Sequence, residues 1–166
     1  MLKLILTVVM AFSCLSVNAK DLMKPVEPIE VASDFTLKTP EGVDLSLSDF
    51  KGKFVLVNFW ANWCSPCIKE LPDMQALYEQ VDRDKLEIIG IHAGEYNDAA
   101  AAFIKKYKIS FPIVSDPDTS LKGWKVLALP TTYLVNPKGE LIYQAIGPRS
   151  WDVKQMKALI SQSTGK

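Results

Sequence analysis

Two cysteines separated by two residues, Cys64 and Cys67, are the residues of this chain whose spacing most directly allows chemistry. They can close a small disulfide ring and reopen it, carrying two electrons in the sulfur–sulfur bond itself. The apolar run Phe54-Val55-Leu56-Val57-Asn58-Phe59-Trp60 precedes them and a helical pattern follows, so they sit at a strand-to-helix turn. Cys64 then falls at or just before the helix start, where free N–H groups and the positive dipole end favour a thiolate. It is the expected nucleophile, and Cys67, one turn inside, is the expected resolving thiol.

Rival chemistries fit the residues less well. Zinc normally takes four ligands, and the chain has one histidine, His92, and no second cysteine pair. Covalent haem attachment wants a histidine after the second cysteine, where this chain has Ile68. Between the cysteines, Ser65 and Pro66 carry no cation, and Pro66 has no N–H to offer a sulfur. Nothing in the dipeptide strongly stabilises a thiolate, which points to a reducing rather than an oxidising dithiol. Glu70 follows Cys67 by three residues and can share its helical face. Ionised, it would oppose a thiolate and raise the thiol pKa, or relay protons to Cys67; a solvent-facing glutamate at the helix start fits the spacing equally well. Trp63, beside Cys64, is read as shielding the sulfur and contacting partners, with a packing role close behind. Trp60, Trp124 and Trp151 are assigned to packing, and His92, at a strand end, to a structural or surface role.

The whole chain bounds what these residues can serve. It has 166 residues, 48% of them hydrophobic, and zero formal net charge. Lys3, the apolar stretch Leu4 to Phe12 and Val17-Asn18-Ala19 together resemble a secretory signal cleaved before Lys20. The apolar stretch is short for a membrane span of about 20 residues; an uncleaved anchor, or lipidation at Cys14, are the rival readings. If residues 1–19 leave, Cys64 and Cys67 are the only cysteines, and a staple closing so short a loop contributes little chain entropy. Reactivity explains the pair better than stability. Residues 20–30, with Pro25 and Pro28, read as a linker or extended lead-in, and residues 31–166 as one domain. No basic stripe indicates nucleic acid, and no oligomeric state follows from the sequence.

Alternation over Ala32–Leu37 and Val43–Leu47 around the turn Thr39-Pro40-Glu41-Gly42 predicts an N-terminal β-hairpin. Phe54–Phe59 and Leu86–Ile91 read as buried strands, Phe111–Val114 as short and extended, and Thr131–Val135 and Glu140–Ile146 as an antiparallel pair. Helices follow Cys64, interrupted by Pro72, then Asn97 or Asp98 as cap, then Ser150 as cap. The order predicts an α/β fold: a central mixed sheet flanked by helices on both faces, with Cys64 at the sheet's carboxyl edge.

The string Val57-Asn58-Phe59-Trp60-Ala61-Asn62-Trp63-Cys64-Ser65-Pro66-Cys67-Ile68-Lys69-Glu70-Leu71-Pro72 resembles the active-site segment of the TlpA/ResA-like thioredoxins, which are extracytoplasmic thiol–disulfide oxidoreductases. The resemblance covers roughly Val31 to Ile160 and implies a thioredoxin-like fold. Leu129-Pro130-Thr131 resembles the loop whose cis-proline faces the cysteines and offers edge hydrogen bonds to an extended peptide. Cytoplasmic thioredoxins carry a buried aspartate where this chain has Asn58, so the resemblance moves any carboxylate role to Glu70. It implies protein disulfide substrates such as apocytochrome c, a membrane thiol–disulfide electron donor, a periplasmic or other extracytoplasmic location, and no dissociable cofactor. Three alternatives remain: a disulfide-forming oxidase of the same fold; a peroxiredoxin-like peroxidase, which would need a Thr-x-x-Cys setting where Ala61 stands; and a non-catalytic metal carrier or interaction module.

Overall fold

The structure is a computed structural model describing residues 22–120 and 123–164. The expected signal segment, residues 1–19, and Lys20 and Asp21 after it lie outside the described residues, as do residues 121–122. The strands are β1 (Lys24–Val31), β2 (Thr36–Lys38), β3 (Asp44–Ser46), β4 (Phe54–Trp60), β5 (Leu86–Ala93), β6 (Ile113–Asp116), β7 (Thr131–Val135) and β8 (Glu140–Ile146). The helices are α1 (Ser65–Tyr78), α2 (Asp98–Tyr107) and α3 (Val153–Thr164). All eight strands form one mixed sheet in the order β1-β8-β7-β4-β5-β6-β2-β3. Among the described residues, no helix is long and apolar enough to cross a membrane.

The sheet is built around β4. Every residue of this strand is buried, as a run that is apolar except for Asn58 leads one to expect. It runs parallel to β5 and antiparallel to β7, so both of its edges are paired. Leu56 and Trp60 point to one face, where they pack with Leu71, Met74 and Leu77 of α1, Phe103 of α2, and Met156 and Leu159 of α3. Val55, Val57 and Phe59 point to the other face. There the cover comes from the β2–β3 hairpin, Leu47 of a short 3-10 turn, and Trp124. The Trp124 ring packs 5.3 Å from Phe59 and 5.5 Å from Tyr133, centroid to centroid. Among the described residues, the three α-helices therefore lie on one face and not on both. The crossovers β4-α1-β5 and β5-α2-β6 step across the sheet in the same direction. Right-handed connection then places both helices on the same side.

Two local expectations also give way. The lead-in around Pro25 and Pro28 is strand β1, paired antiparallel with β8 at Lys24–Pro25 and again, after a register shift, at Glu30–Val31. An edge strand tolerates proline because one side of its ladder has no partner strand. Ser150 does not cap α3: the Asp152 carboxylate accepts the Gln155 N–H at 2.9 Å, so the helix begins two residues later. Asn97 does cap α2, accepting from Ala100 N–H at 3.0 Å. Helix α1 runs on through Pro72.

Gly90 of β5 lies beside Asn58 of β4 on one side and Ile113 of β6 on the other. A methyl group there would meet Ile113 Cδ1 at 2.6 Å, and Phe111 and the Trp60 indole nitrogen at 3.2 Å. Gly90→Ala should destabilise the fold by about 1–3 kcal/mol through overpacking, measured as a lowered midpoint of urea unfolding.

Candidate active site

The end of β4 delivers the chain into Ala61–Trp63, where the Cys64 N–H returns to the Ala61 carbonyl at 3.1 Å. Cys64 then takes the N-cap position of α1 with extended backbone angles, φ −91° and ψ 96°. Pro66 falls in the first helical turn, where its missing N–H has no intrahelical acceptor to lose. Cys67 is bonded to Cys64 as a disulfide with a Cα–Cα separation of 5.3 Å. The Cys67 N–H donates to Cys64 Sγ at 3.3 Å, the bond a capping oxygen would ordinarily accept. The same N–H and the helix dipole would favour a thiolate on Cys64 once the disulfide opens.

The two sulfurs differ in access. Cys64 is 6% exposed and Cys67 is fully buried. Around them Ser65 and Pro66 are exposed, and Trp63 is 70% exposed. What exposure the pair has therefore belongs to Cys64, and Cys67 has none.

One turn after Cys67, the helical period turns Glu70 inward, where it is 2% exposed. Its Oε1 accepts from the Asn58 side-chain amide at 2.9 Å, and its Oε2 from the Arg149 backbone N–H at 2.9 Å. The Asn58 amide also donates to Thr132 Oγ1 at 2.9 Å, its partner across the β4–β7 register. Burial raises the Glu70 pKa from its usual 4.5 to about 7, against the opposing pull of the Arg149 N–H, the Asn58 amide, the Trp151 indole and the Arg149 charge. The Trp151 indole N–H acts on the carboxyl without reaching hydrogen-bond geometry; it and the Asn58 carbonyl oxygen are buried without a hydrogen-bond partner. A carboxyl that titrates near neutrality, one turn from a sulfur, can take up or release a proton as the disulfide opens and closes.

The Leu129–Pro130 peptide is cis and Pro130 is buried. Pro130 has no N–H, and its carbonyl already accepts from Gly147 N–H at 2.8 Å. His92 is buried, with its ring 3.0 Å from the Asn62 side-chain oxygen and 3.1 Å from the Gly94 carbonyl. Burial lowers its pKa, and its ring ties β5 to the segment leading to Cys64. Among the described residues, no three His, Cys, Asp or Glu side chains come together as a metal-ligand set. Thr132, Arg149 and Trp151 join the site without having been singled out for it. Sheet register would have found Thr132, opposite Asn58; no sequence signal marks Arg149, because its bond to Glu70 comes from the backbone.

A sheet edge that ends in a redox-competent dithiol at a helix N-terminus defines a thioredoxin-like oxidoreductase site, and the comparisons place the chain more narrowly. The profile of the AhpC/TSA family matches residues 29–144. The thiol-disulfide oxidoreductase ResA of Bacillus subtilis (strain 168) is 40% identical over 117 residues, which cover 70% of this chain and 65% of that protein. Among solved structures, StoA from Bacillus subtilis is 36% identical with a TM-score of 0.65, covering 77% of this chain and 96% of StoA. The thioredoxin domain of a thiol-disulfide oxidoreductase from Bacteroides vulgatus is 26% identical with a TM-score of 0.70, covering 79% of this chain and 96% of that one. The chain belongs to the AhpC/TSA family and, within it, to the thioredoxin-like thiol–disulfide oxidoreductases of the ResA type.

Folding raises the Glu70 pKa, so between about pH 4.5 and 7 the folded chain binds more protons than the unfolded one. Stability attached to this group is full below that window and falls as pH rises through it. His92, with a lowered pKa, acts in the opposite direction but equally in both proteins compared. The stability difference between the oxidised wild type and Glu70→Gln should therefore shift by about 3 kcal/mol between acidic and mildly alkaline pH. Urea unfolding across pH measures it.

Proposed function

We propose that the chain is an exported dithiol–disulfide reductase acting on protein disulfides outside the cytoplasm, with apocytochrome c as the substrate class its family resemblance implies. The observation that carries this reading is the asymmetry of the pair: a slightly exposed Cys64, a fully buried Cys67, and a buried carboxyl one turn beyond. In the reduced protein the Cys64 thiolate attacks one sulfur of a client disulfide. A Cys64–client bond forms and the client's other sulfur leaves as a thiolate. Cys67, deprotonated toward Glu70, then attacks Cys64 Sγ and expels the second client sulfur. The client gains two electrons and the chain is left with the Cys64–Cys67 disulfide. A membrane thiol–disulfide donor returns the dithiol by the reverse exchange. No dissociable cofactor enters the cycle.

The local electrostatics support reduction rather than oxidation. Ser65 and Pro66 give the Cys64 thiolate no cation, and an ionised Glu70 opposes a thiolate on Cys67. A strong oxidant needs a stabilised reduced form. Pro130, buried and cis at the start of β7, is assigned to the wall against which an extended client lies, and exposed Trp63 to the rim it crosses. The segment 1–19 supports export, with Ala19 as the cleavage position.

Cys67→Ser should accumulate a client as a mixed disulfide on Cys64, released by dithiothreitol and identified by mass spectrometry, while Cys64→Ser accumulates none. Glutathione equilibration should place the potential nearer the roughly −270 mV of thioredoxin than the roughly −120 mV of a strong oxidant. The latter value would reverse the assigned direction and make the chain a disulfide-forming oxidase.

A further inference from the structure

The loop between β8 and α3 touches both non-sulfur parts of the site. The Gly147 N–H donates to the Pro130 carbonyl at 2.8 Å, and the Arg149 N–H donates to Glu70 Oε2 at 2.9 Å. The Arg149 side chain spans the same loop from the other side. One of its terminal nitrogens donates to the Gly147 carbonyl at 3.3 Å and to the Pro148 carbonyl at 2.9 Å. Its Nε donates to the Leu22 carbonyl at 3.1 Å, in a segment where Leu22 and Met23 are buried. A planar guanidinium can hold three carbonyls in fixed directions; an ammonium on a flexible stem cannot.

We propose that Arg149 is a positioning residue for the thiol–disulfide reaction: its guanidinium splints the 147–149 loop to the buried N-terminal segment, and so fixes Glu70 and Pro130 relative to the disulfide. This inference rests on the reading of Glu70 as the proton-exchanging group of the dithiol. Arg149 also supplies the charged environment of that carboxyl. The other groups near it leave little to compete. Helix α1 contributes Cys67 and, one turn on, exposed Asp73, which Ser150 Oγ contacts at 3.4 Å. Strands β4 and β7 contribute the neutral Asn58 and Thr132, the segment before α3 the neutral Trp151, and the N-terminal segment the Leu22 carbonyl. Arg149 is the cation of this set.

The test uses oxidised protein, in which the cysteines do not titrate. Carbon-13 carboxyl NMR follows Glu70 in wild type, Arg149→Gln and Arg149→Lys, with Glu70→Gln identifying the resonance. Arg149→Gln should move the Glu70 titration upward by about half a pH unit or more, because a favourable charge and the splint are both lost. Arg149→Lys keeps the charge and should move it less. In both variants, amide exchange at Gly147 and at position 149 should quicken relative to wild type. The pH profile of disulfide reduction by dithiothreitol should shift with the Glu70 titration, and Arg149→Gln should cause no further shift in a Glu70→Gln background. A Glu70 titration unmoved in Arg149→Gln, or a profile shift that persists in the Glu70→Gln background, overturns the proposal. If Arg149→Gln does not fold, unchanged amide exchange at both positions in Arg149→Lys overturns it. A wild type in which no carboxyl near neutrality disappears on Glu70→Gln would overturn the reading of Glu70 instead.

Discussion

Burying the Glu70 carboxyl is the constraint on which the rest of the site depends. A carboxylate taken out of water without partners would cost several kcal/mol or would stay protonated. Here the desolvation is offset only in part, by one side-chain amide, one backbone N–H and a nearby guanidinium, and the pKa settles near neutrality instead of at either extreme. Those partners come from β4, from the segment before α3 and, through Thr132, from β7. No stretch of contiguous sequence could assemble them. The carboxyl becomes poised only when the β4–β7 pairing and the return of the chain through β8 are both complete.

The sheet order explains why this poise is available on one face alone. Because both crossovers step from β4 toward β6, α1 and α2 share a side with α3, and the Cys64–Cys67 disulfide and Glu70 are enclosed between helices and the Asn58 face of β4. The opposite face holds Val55, Val57 and Phe59 under a hairpin and Trp124, and carries no part of the redox site. β4 is buried on both sides for two different reasons: one face, apolar but for Asn58, meets a helical core, and the other a core closed by short strands and aromatic rings.

How much of this was legible in the sequence varies with the range of the interaction. β7 and β8 occupy the residues expected of them, Thr131–Val135 and Glu140–Ile146, since strand composition and turn chemistry at Asn136–Gly139 are local. The Cys64–Cys67 pair and the cap at Asn97 are equally local. β1 was hidden because two prolines and mixed charges give it no strand pattern; pairing with β8 makes it a strand. Ser150 and Asp152 both have capping chemistry, and only the entry of the chain into α3 chooses between them. Glu70 looked as much like a solvated helix residue as a site residue, because its burial depends on the 147–149 loop packing over it. Arg149 was invisible for a deeper reason: the group that bonds Glu70 is a main-chain N–H, which every residue but proline possesses.

Asn58 shows how tightly the pieces constrain one another. Its amide nitrogen sits 2.9 Å from Glu70 Oε1, so an acid at position 58 would face the Glu70 carboxyl oxygen to oxygen. Two buried carboxyls at that distance cannot both ionise, and one would be held protonated well above neutrality. A neutral amide avoids that conflict and donates where Glu70 needs a donor. Its cost is the Asn58 carbonyl oxygen, buried and unpaired. That cost is tolerable because the amide nitrogen is doubly used, on Glu70 and on Thr132, and so fixes β4, α1 and β7 to one another at the level of the dithiol. Moving the carboxyl from the strand to the helix thus changes more than its position. It puts the acid on the same helix as Cys67, three residues further along and turned to the same buried side, so that the carboxyl and the inner cysteine share one element.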